Sequence, residues 1–89
     1  MLQINPANGV PLLTARERQV LSLVSNGFSA KEVAQRIEIA PRTVERHIEN
    51  VRLKLRARNR THMVTLAVEF GLLEFHQDVV QPWPEILAG

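Results

Sequence analysis

The sequence predicts an all-α fold of four helices, three of which form a common core. Apolar residues recur at three- and four-residue intervals in four segments, and cap or breaker residues bound each segment. Apolar residues make up 45% of the chain and aromatic ones only 4%, so Leu, Val, Ile and Ala must fill the core. A length of 89 residues leaves room for one domain.

The first two predicted helices each begin with a capping box. Thr14 is followed by Glu17, and Ser29 by Glu32, the spacing at which hydroxyl and carboxylate cap each other's backbone N–H groups. Apolar residues follow both boxes at helical spacing: Val20, Leu21, Leu23 and Val24, then Val33, Ala34 and Ile37. Gly27 ends the first helix, because glycine accepts the left-handed conformation after a last turn.

A third helix is predicted from Pro41 to about Arg56. Proline suits the first helical position, where its missing N–H needs no partner. One side carries an apolar stripe of Val44, Ile48, Val51 and Leu55. The other side carries charge: Arg42, Glu45, Arg46, Glu49, Arg52 and Arg56. Ala40 precedes the helix and has no side chain to cap it, which costs about 1 kcal/mol.

A fourth helix is predicted from about Arg60 to Phe70. Asn59 is its expected N-cap and Gly71 follows its end. Its apolar residues lie on more than one side, so the helix needs a partner besides its own core.

Two terminal segments flank the predicted domain of residues 13–73. Residues 1–12 contain turn and breaker residues and are expected to form a flexible arm. Residues 74–89 form a C-terminal tail in which prolines flank Trp83 and exclude a continuous helix. The tail either packs back on the core or extends a contact with a second copy.

Charge is distributed unevenly along the chain. All eleven Lys and Arg residues lie between Arg16 and Arg60 with five acidic residues, a net charge of +6. Residues 61–89 contain four acidic residues and no Lys or Arg, a net charge of −4. This asymmetry favours a surface for a polyanion, and an ordinary solvated surface is the alternative.

The residue inventory argues against an enzyme, a metal site or a membrane protein. Cysteine is absent, and His47, His62 and His76 do not form a metal-ligand set. His47 is expected to be a partly buried helix residue rather than a pH switch. No nucleophile–base pair, phosphate-binding glycine loop, secretory signal or membrane-spanning run is found, so we expect a cytoplasmic protein without a cofactor.

Only about three residues join the second and third predicted helices. A short helix, a tight turn and a longer helix with a basic outer face are typical of a helix-turn-helix. The major groove of B-DNA admits one α-helix, whose N-terminal part reaches base edges. The sequence therefore predicts that the third helix binds double-stranded DNA.

Six segments between roughly residues 12 and 73 form an ordered pattern: residues 13–21, residues 27–34, Thr43-Val44 with His47, Lys54-Leu55, Asn59-Arg60, and Ala67 with Gly71-Leu72. In these segments the chain resembles the LuxR/GerE-type helix-turn-helix domains, the NarL/FixJ-like C-terminal effector domains. It implies a stand-alone or excised bacterial domain, associated with the nucleoid, with a dimerising fourth helix. Such domains bind DNA as homodimers, usually on inverted repeats.

The resemblance also implies roles for individual residues. Base contacts map onto Arg42, Glu45, Arg46, Glu49 and Asn50, with Arg46 suited to guanine and Asn50 to adenine. Phosphate contacts map onto Ser29, Lys31, Thr43, Lys54 and Arg60. The dimer contact maps onto His62, Thr65, Leu66, Val68 and Glu69.

Two carboxylates depart from the family pattern, which commonly has a basic residue in place of Glu45 and often a basic or neutral one in place of Glu49. They either accept from cytosine N4 or pair with Arg42, Arg46 or Arg52 across helix turns.

Two other functions also stay open. One is a protein-interaction module that keeps the fold and binds another regulator through the fourth helix and tail; for a DNA-binding regulator, RNA polymerase or another regulator stays open as a further partner. The other is the DNA-recognition part of a sigma factor.

Overall fold

A computed structural model describes residues 11–73, which form four α-helices. They are α1 (Ala15–Ser25), α2 (Ala30–Ile37), α3 (Pro41–Leu55) and α4 (Arg60–Glu69). The predicted all-α fold with four helices is confirmed. Most of the N-terminal arm, His76 and the predicted C-terminal tail lie outside the described residues.

The predicted N-caps are present. Thr14 N donates to Glu17 Oε1 at 2.9 Å and Glu17 N donates to Thr14 Oγ1 at 3.0 Å. The same reciprocal pair joins Ser29 and Glu32 at the start of α2. Asn59 Oδ1 accepts from the backbone N–H of the residue three positions later at 2.8 Å and caps α4. Local chemistry therefore determines where three of the helices begin.

Two helices end one residue earlier than predicted. Arg56 adopts a left-handed conformation with φ 59°, and its N–H bonds back to α3, so α3 ends at Leu55. Phe70 caps α4 instead of belonging to it, and Gly71 follows with φ 72°. The turn between α2 and α3 also contains a left-handed residue, Glu38, with φ 58°.

Helix α3 lies at the centre of the fold and packs against α1, α2 and α4. Its predicted apolar stripe is buried together with residues from every other helix and from the segments that follow α3 and α4. The buried apolar residues are Val20, Leu21, Val33, Ala34, Val44, Ile48, Val51, Leu55, Ala57, Met63, Ala67 and Leu72. Because the three partner helices cover one side of α3, its charged side faces solvent. No described helix is both long and apolar enough to cross a lipid bilayer.

Candidate nucleic-acid interface

The outer side of α3 is a charged, solvent-exposed surface. Arg42, Glu45, Arg46 and Glu49 are all exposed, on the side opposite the buried stripe. The steps between Arg42, Arg46 and Glu49 are four and three residues, so these side chains share one face of the helix. We call Arg42, Arg46, Glu49 and the next residue at this spacing, Leu53, the outer stripe of α3.

Leu53 is a member of this surface that the sequence-based assignment missed. It is 54% exposed although it is a large apolar residue. It lies four residues after Glu49, so it continues the outer stripe at the same period as the buried one. That periodicity was available in the sequence and would have placed Leu53 on the outer face.

Two predicted contact residues lie at the edge of this surface. Asn50 and Thr43 are half-buried, whereas the residues of the outer stripe are exposed. His47 is also half-buried on this edge, as predicted, and its Nδ1 has no hydrogen-bond partner within residues 11–73. The structure therefore brings all five predicted base-contacting residues to one region, where four are exposed and Asn50 is half-buried.

Both carboxylates of the outer surface are paired with arginines. Glu49 accepts from Arg52 Nη2 at 2.6 Å and from Arg52 Nε at 2.9 Å, and this side-chain hydrogen bonding lowers the pKa of Glu49. Glu45 Oε1 accepts from Arg60 Nη2 at 2.8 Å, which joins α3 to the first residue of α4. The pairing within one helix was anticipated for Glu49. The partner of Glu45 lies on another helix, where helical spacing gives no signal.

The arginines of α3 fall into two groups. Arg42 and Arg46 make no ion pair within residues 11–73 and extend into solvent. Arg52 instead bridges Glu49 and the carbonyl of Ala57, to which its Nη1 donates at 2.8 Å. The N-terminal half of α3 therefore presents unpaired cations, and the C-terminal half uses its arginine to hold the turn before α4.

Lys54 is held inside the domain by an ion pair with α1. Its Nζ donates to Glu17 Oε1 at 2.7 Å, and the side chains of Lys54 and Glu17 are 21% and 5% exposed. Burial raises the pKa of Glu17, but hydrogen bonds from Lys54 and Thr14 and the charge of Lys54 outweigh it, and the pKa is lowered. The capping box of α1 thus also ties α1 to α3.

Three other predicted phosphate contacts lie near the start of α2 and α4. Lys31 is exposed in the first turn of α2, two positions after the N-cap Ser29, whose Oγ accepts from Glu32 N. Arg60 is exposed at the start of α4 and carries the ion pair with Glu45. Helix N-termini attract anions, so these positions are electrostatically suited to phosphate.

Helix α4 has a buried side and an exposed apolar side. Met63 and Ala67 are completely buried, whereas Val68 is 43% and Phe70 37% exposed. The remaining residues of the predicted dimer contact range from half-buried to exposed: His62, Thr65, Leu66 and Glu69. His62 Nδ1 accepts from the backbone N–H of the residue four positions before it at 2.9 Å, so the imidazole is engaged locally. Residues 11–73 contain no cluster of His, Asp and Glu suited to a metal ion.

Comparison with known proteins places the described helices in one family. Residues 11–67 match the family described as bacterial regulatory proteins, luxR family. The transcriptional activator protein SolR of Ralstonia nicotianae is 46% identical over 61 residues, 68% of this chain and 26% of that protein. The transcriptional regulatory protein FixJ of Rhizobium meliloti is 46% identical over 59 residues, 66% of this chain and 29% of that protein. The chain spans less than a third of either relative.

Solved structures agree with this assignment. The transcription factor GerE is similar with a TM-score of 0.67 and 31% identity, over 70% of this chain and 92% of that one. A VqmA–ligand–DNA complex from Vibrio cholera is similar with a TM-score of 0.65 and 29% identity, over 79% of this chain and 32% of that one.

The matched region includes all of α1, α2 and α3 and most of α4, the helices that build the candidate interface. Its relatives are DNA-binding regulators of transcription and not enzymes. The chain belongs to the luxR family of bacterial regulatory proteins.

Proposed function

We propose that this domain binds double-stranded DNA with α3 in the major groove. The observation that carries the proposal is the outer face of α3, where Arg42 and Arg46 are exposed and unpaired within residues 11–73. An α-helix with its side chains is about 10–12 Å wide, and the major groove is about 12 Å wide. Within residues 11–73 the partner helices bury the apolar stripe of α3 and leave its outer stripe exposed, as entry into the groove requires.

Base contacts in this arrangement come from the outer surface of α3. Arg46 donates two hydrogen bonds to guanine O6 and N7, and Asn50, one turn later, pairs with adenine. Arg42 lies at the start of the helix and contacts a base or a phosphate. Glu45 and Glu49 accept from cytosine N4 once their arginine partners release them, which exposed ion pairs permit at little cost.

Phosphate contacts in this arrangement flank the groove. Lys31 and Ser29 at the start of α2 contact one strand, and Thr43 and Arg60 contribute further contacts. Lys54 also stands among the predicted phosphate contacts. Its ammonium bonds to Glu17, so a phosphate contact by Lys54 requires that pair to open.

We further propose that α4 forms the contact of a homodimer. The exposed apolar side chain of Val68 supports this assignment, and the exposed cap residue Phe70 follows it by two positions. His62, Thr65, Leu66 and Glu69 complete the proposed interface. A twofold axis through α4 presents two copies of α3 to DNA, so the preferred sites are inverted repeats.

The proposed role places the domain on bacterial DNA, in the cytoplasm and associated with the nucleoid. RNA polymerase or another regulator is a further partner in that setting. The alternative function uses the same exposed residues, Val68 and Phe70, to bind another regulator without DNA. Salt dependence separates the two functions, because neutralising phosphates releases counterions and an apolar contact does not.

Selection of bound sequences from random DNA at two salt concentrations tests the DNA-binding role. We expect affinity to fall steeply as salt rises. Arg46→Ala should cost about 1–3 kcal/mol and relax the preference at one position of the site. Lys31→Ala, the matched control, should weaken binding to all sequences alike. Absence of salt-dependent association with any duplex would refute the proposal.

Sedimentation tests the dimer. Val68→Glu places a charge on the exposed apolar side of α4 and should dissociate the dimer. Gln35→Glu adds the same charge at an exposed position on α2 and should not. A Val68→Glu variant that remains dimeric would remove this side of α4 as the interface.

A further inference from the structure

A groove between α1 and the end of α4 is separate from the proposed DNA-binding surface. Leu13, Leu72 and Leu73 form its apolar wall, and Arg18, Gln19 and Ser22 of α1 form its polar wall. Its volume is about 640 Å³, within the range of roughly 300–1,000 Å³ typical of sites that hold a ligand of moderate size. The outer stripe of α3 contributes no residue to it.

We propose that residues 74–89 of the same chain fold back into this groove, with Trp83 as the principal apolar contact. The segment begins directly after Leu73, which itself lines the groove. Trp83 lies ten positions after Leu73, an extended reach of up to about 33 Å. The chain is therefore long enough to turn and enter the groove from which it departs.

Charge favours this segment over residues 1–10, which precede Leu13 of the groove wall in the chain. Residues 74–89 contain three acidic residues and no Lys or Arg, whereas residues 1–10 contain no charged side chain. Arg18 in the groove wall is exposed and makes no ion pair within residues 11–73. An acidic, apolar segment thus matches a groove with one apolar wall and one polar wall that carries Arg18.

The sequence around Trp83 reduces the cost of docking. Proline precedes and follows this residue. A proline restricts its own backbone and that of the residue before it, so the segment has less conformational entropy to lose when it binds. An indole ring also supplies a large apolar surface and one N–H donor, which suits a groove with both kinds of wall.

Nuclear Overhauser contacts in the full chain test the proposal. Trp83 is the only tryptophan, so its indole gives one set of signals. We expect contacts between this indole and the methyl groups of Leu13, Leu72 and Leu73, together with a blue-shifted tryptophan emission. A mixture of isotope-labelled and unlabelled chains separates contacts within one chain from contacts between two copies.

Variants of the groove wall provide the matched comparison. Ser22→Phe fills the groove from an exposed position on α1, and Gln35→Phe adds the same bulk on α2 away from it. Arg18→Glu reverses the charge of the groove wall, and Arg58→Glu makes the same change at an exposed position that does not line the groove. We expect Ser22→Phe and Arg18→Glu to shift the Trp83 emission to the red and remove the indole contacts, and the two controls to preserve both.

Three results would overturn the proposal. They are a solvent-like Trp83 emission in the unmodified chain, indole contacts to the exposed side of α4, and contacts found only between labelled and unlabelled copies. The last two would assign residues 74–89 to the dimer contact instead. None of these readouts involves DNA, so the outcome is independent of the proposed DNA-binding function.

Discussion

Replacing Glu17 with glutamine tests whether the ion pair between α1 and α3 stabilises the domain. Glutamine keeps nearly the same shape and an oxygen that accepts from Thr14 N, but it removes the negative charge opposite Lys54. The Lys54 ammonium then stays partly buried without a counter-charge. We therefore expect Glu17→Gln to destabilise the fold through Lys54 more than through the helix cap.

The burial of the pair determines how much the free energy of unfolding falls. Removing one member of a buried ion pair costs about 3–5 kcal/mol, whereas an exposed pair contributes at most about 1 kcal/mol. Glu17 is almost fully buried, but Lys54 retains 21% of its side-chain surface in solvent and is able to turn its ammonium outward. We expect a loss of about 2 kcal/mol, which lowers the Tm of a small domain by about 8–16 °C.

Glu32→Gln is the matched control. Glu32 occupies the same position in the capping box of α2, but no lysine from another helix contacts it and it is exposed. Urea and thermal unfolding followed by helical circular dichroism should show a clearly smaller loss for Glu32→Gln. Equal losses in the two variants would refute the role of Lys54.

A double-variant cycle isolates the pair itself. Lys54→Met removes the ammonium and keeps an apolar side chain of similar length. The loss in Glu17→Gln combined with Lys54→Met should be smaller than the sum of the two single losses, since no uncompensated charge is left behind. Strict additivity would show that the two residues act independently.

The stability of the unmodified domain should also depend on pH through Glu17. Its pKa is lowered in the folded state, so its contribution is complete above the ordinary value of 4.5 and is lost as pH falls through the folded pKa. Glu32 and Glu49 also have lowered pKa values and titrate in the same acidic range. The difference in free energy of unfolding between the unmodified chain and Glu17→Gln therefore isolates the contribution of Glu17. This difference should shrink only below pH 4.5.

Three further predictions concern the backbone and the outer face of α3. Glu38→Gly should raise the free energy of unfolding by about 1 kcal/mol, because Glu38 has a left-handed backbone, and Gly27→Ala should lower it by about as much. Chemical denaturation measures both changes, and a lower free energy of unfolding in Glu38→Gly would contradict this reasoning. Ala40→Ser should stabilise the domain by about 1 kcal/mol by capping α3, and an unchanged Tm would show that Pro41 alone suffices. Leu53→Lys should strengthen binding to all DNA sequences and steepen the salt dependence of the affinity by about one counterion. Leu12→Lys, at an exposed position outside α3, is the control. A salt dependence as shallow in Leu53→Lys as in the control would place this end of α3 away from DNA.

The helices were predictable because their signals are local. The capping boxes at Thr14 and Ser29 depend on residues three positions apart, and the buried stripe of α3 on a fixed period. The tight turn at Glu38 was also predicted, but its left-handed residue was not, because glutamate carries no preference for that conformation. Backbone hydrogen bonds from Glu38 N and Ile39 N to Ala34 O close the end of α2 with Glu38 in this conformation.

The contacts between helices were not predictable from the same signals. Glu17 and Lys54 are 37 residues apart, and Glu45 and Arg60 are 15 apart, so neither pair follows a helical period. The resemblance to the luxR family assigned a phosphate contact to Lys54, because a family pattern compares only the residue types at matching positions. Only the packing of α1 against α3 reveals a buried carboxylate beside it.

The cations of α3 divide along the helix axis, and this division supports one orientation on DNA. Arg42 and Arg46, in the N-terminal half, have no ionic partner within residues 11–73, whereas Arg52 and Lys54, in the C-terminal half, bond to carboxylates of the domain. Cations already paired with carboxylates neutralise fewer phosphates, so the N-terminal half provides most of the attraction. The same half is the part of a recognition helix that reaches base edges. Charge reversal should therefore weaken DNA binding more at Arg46 than at Arg52, when the two variants are compared at equal protein stability. The opposite order would require α3 to enter the groove by its C-terminal end.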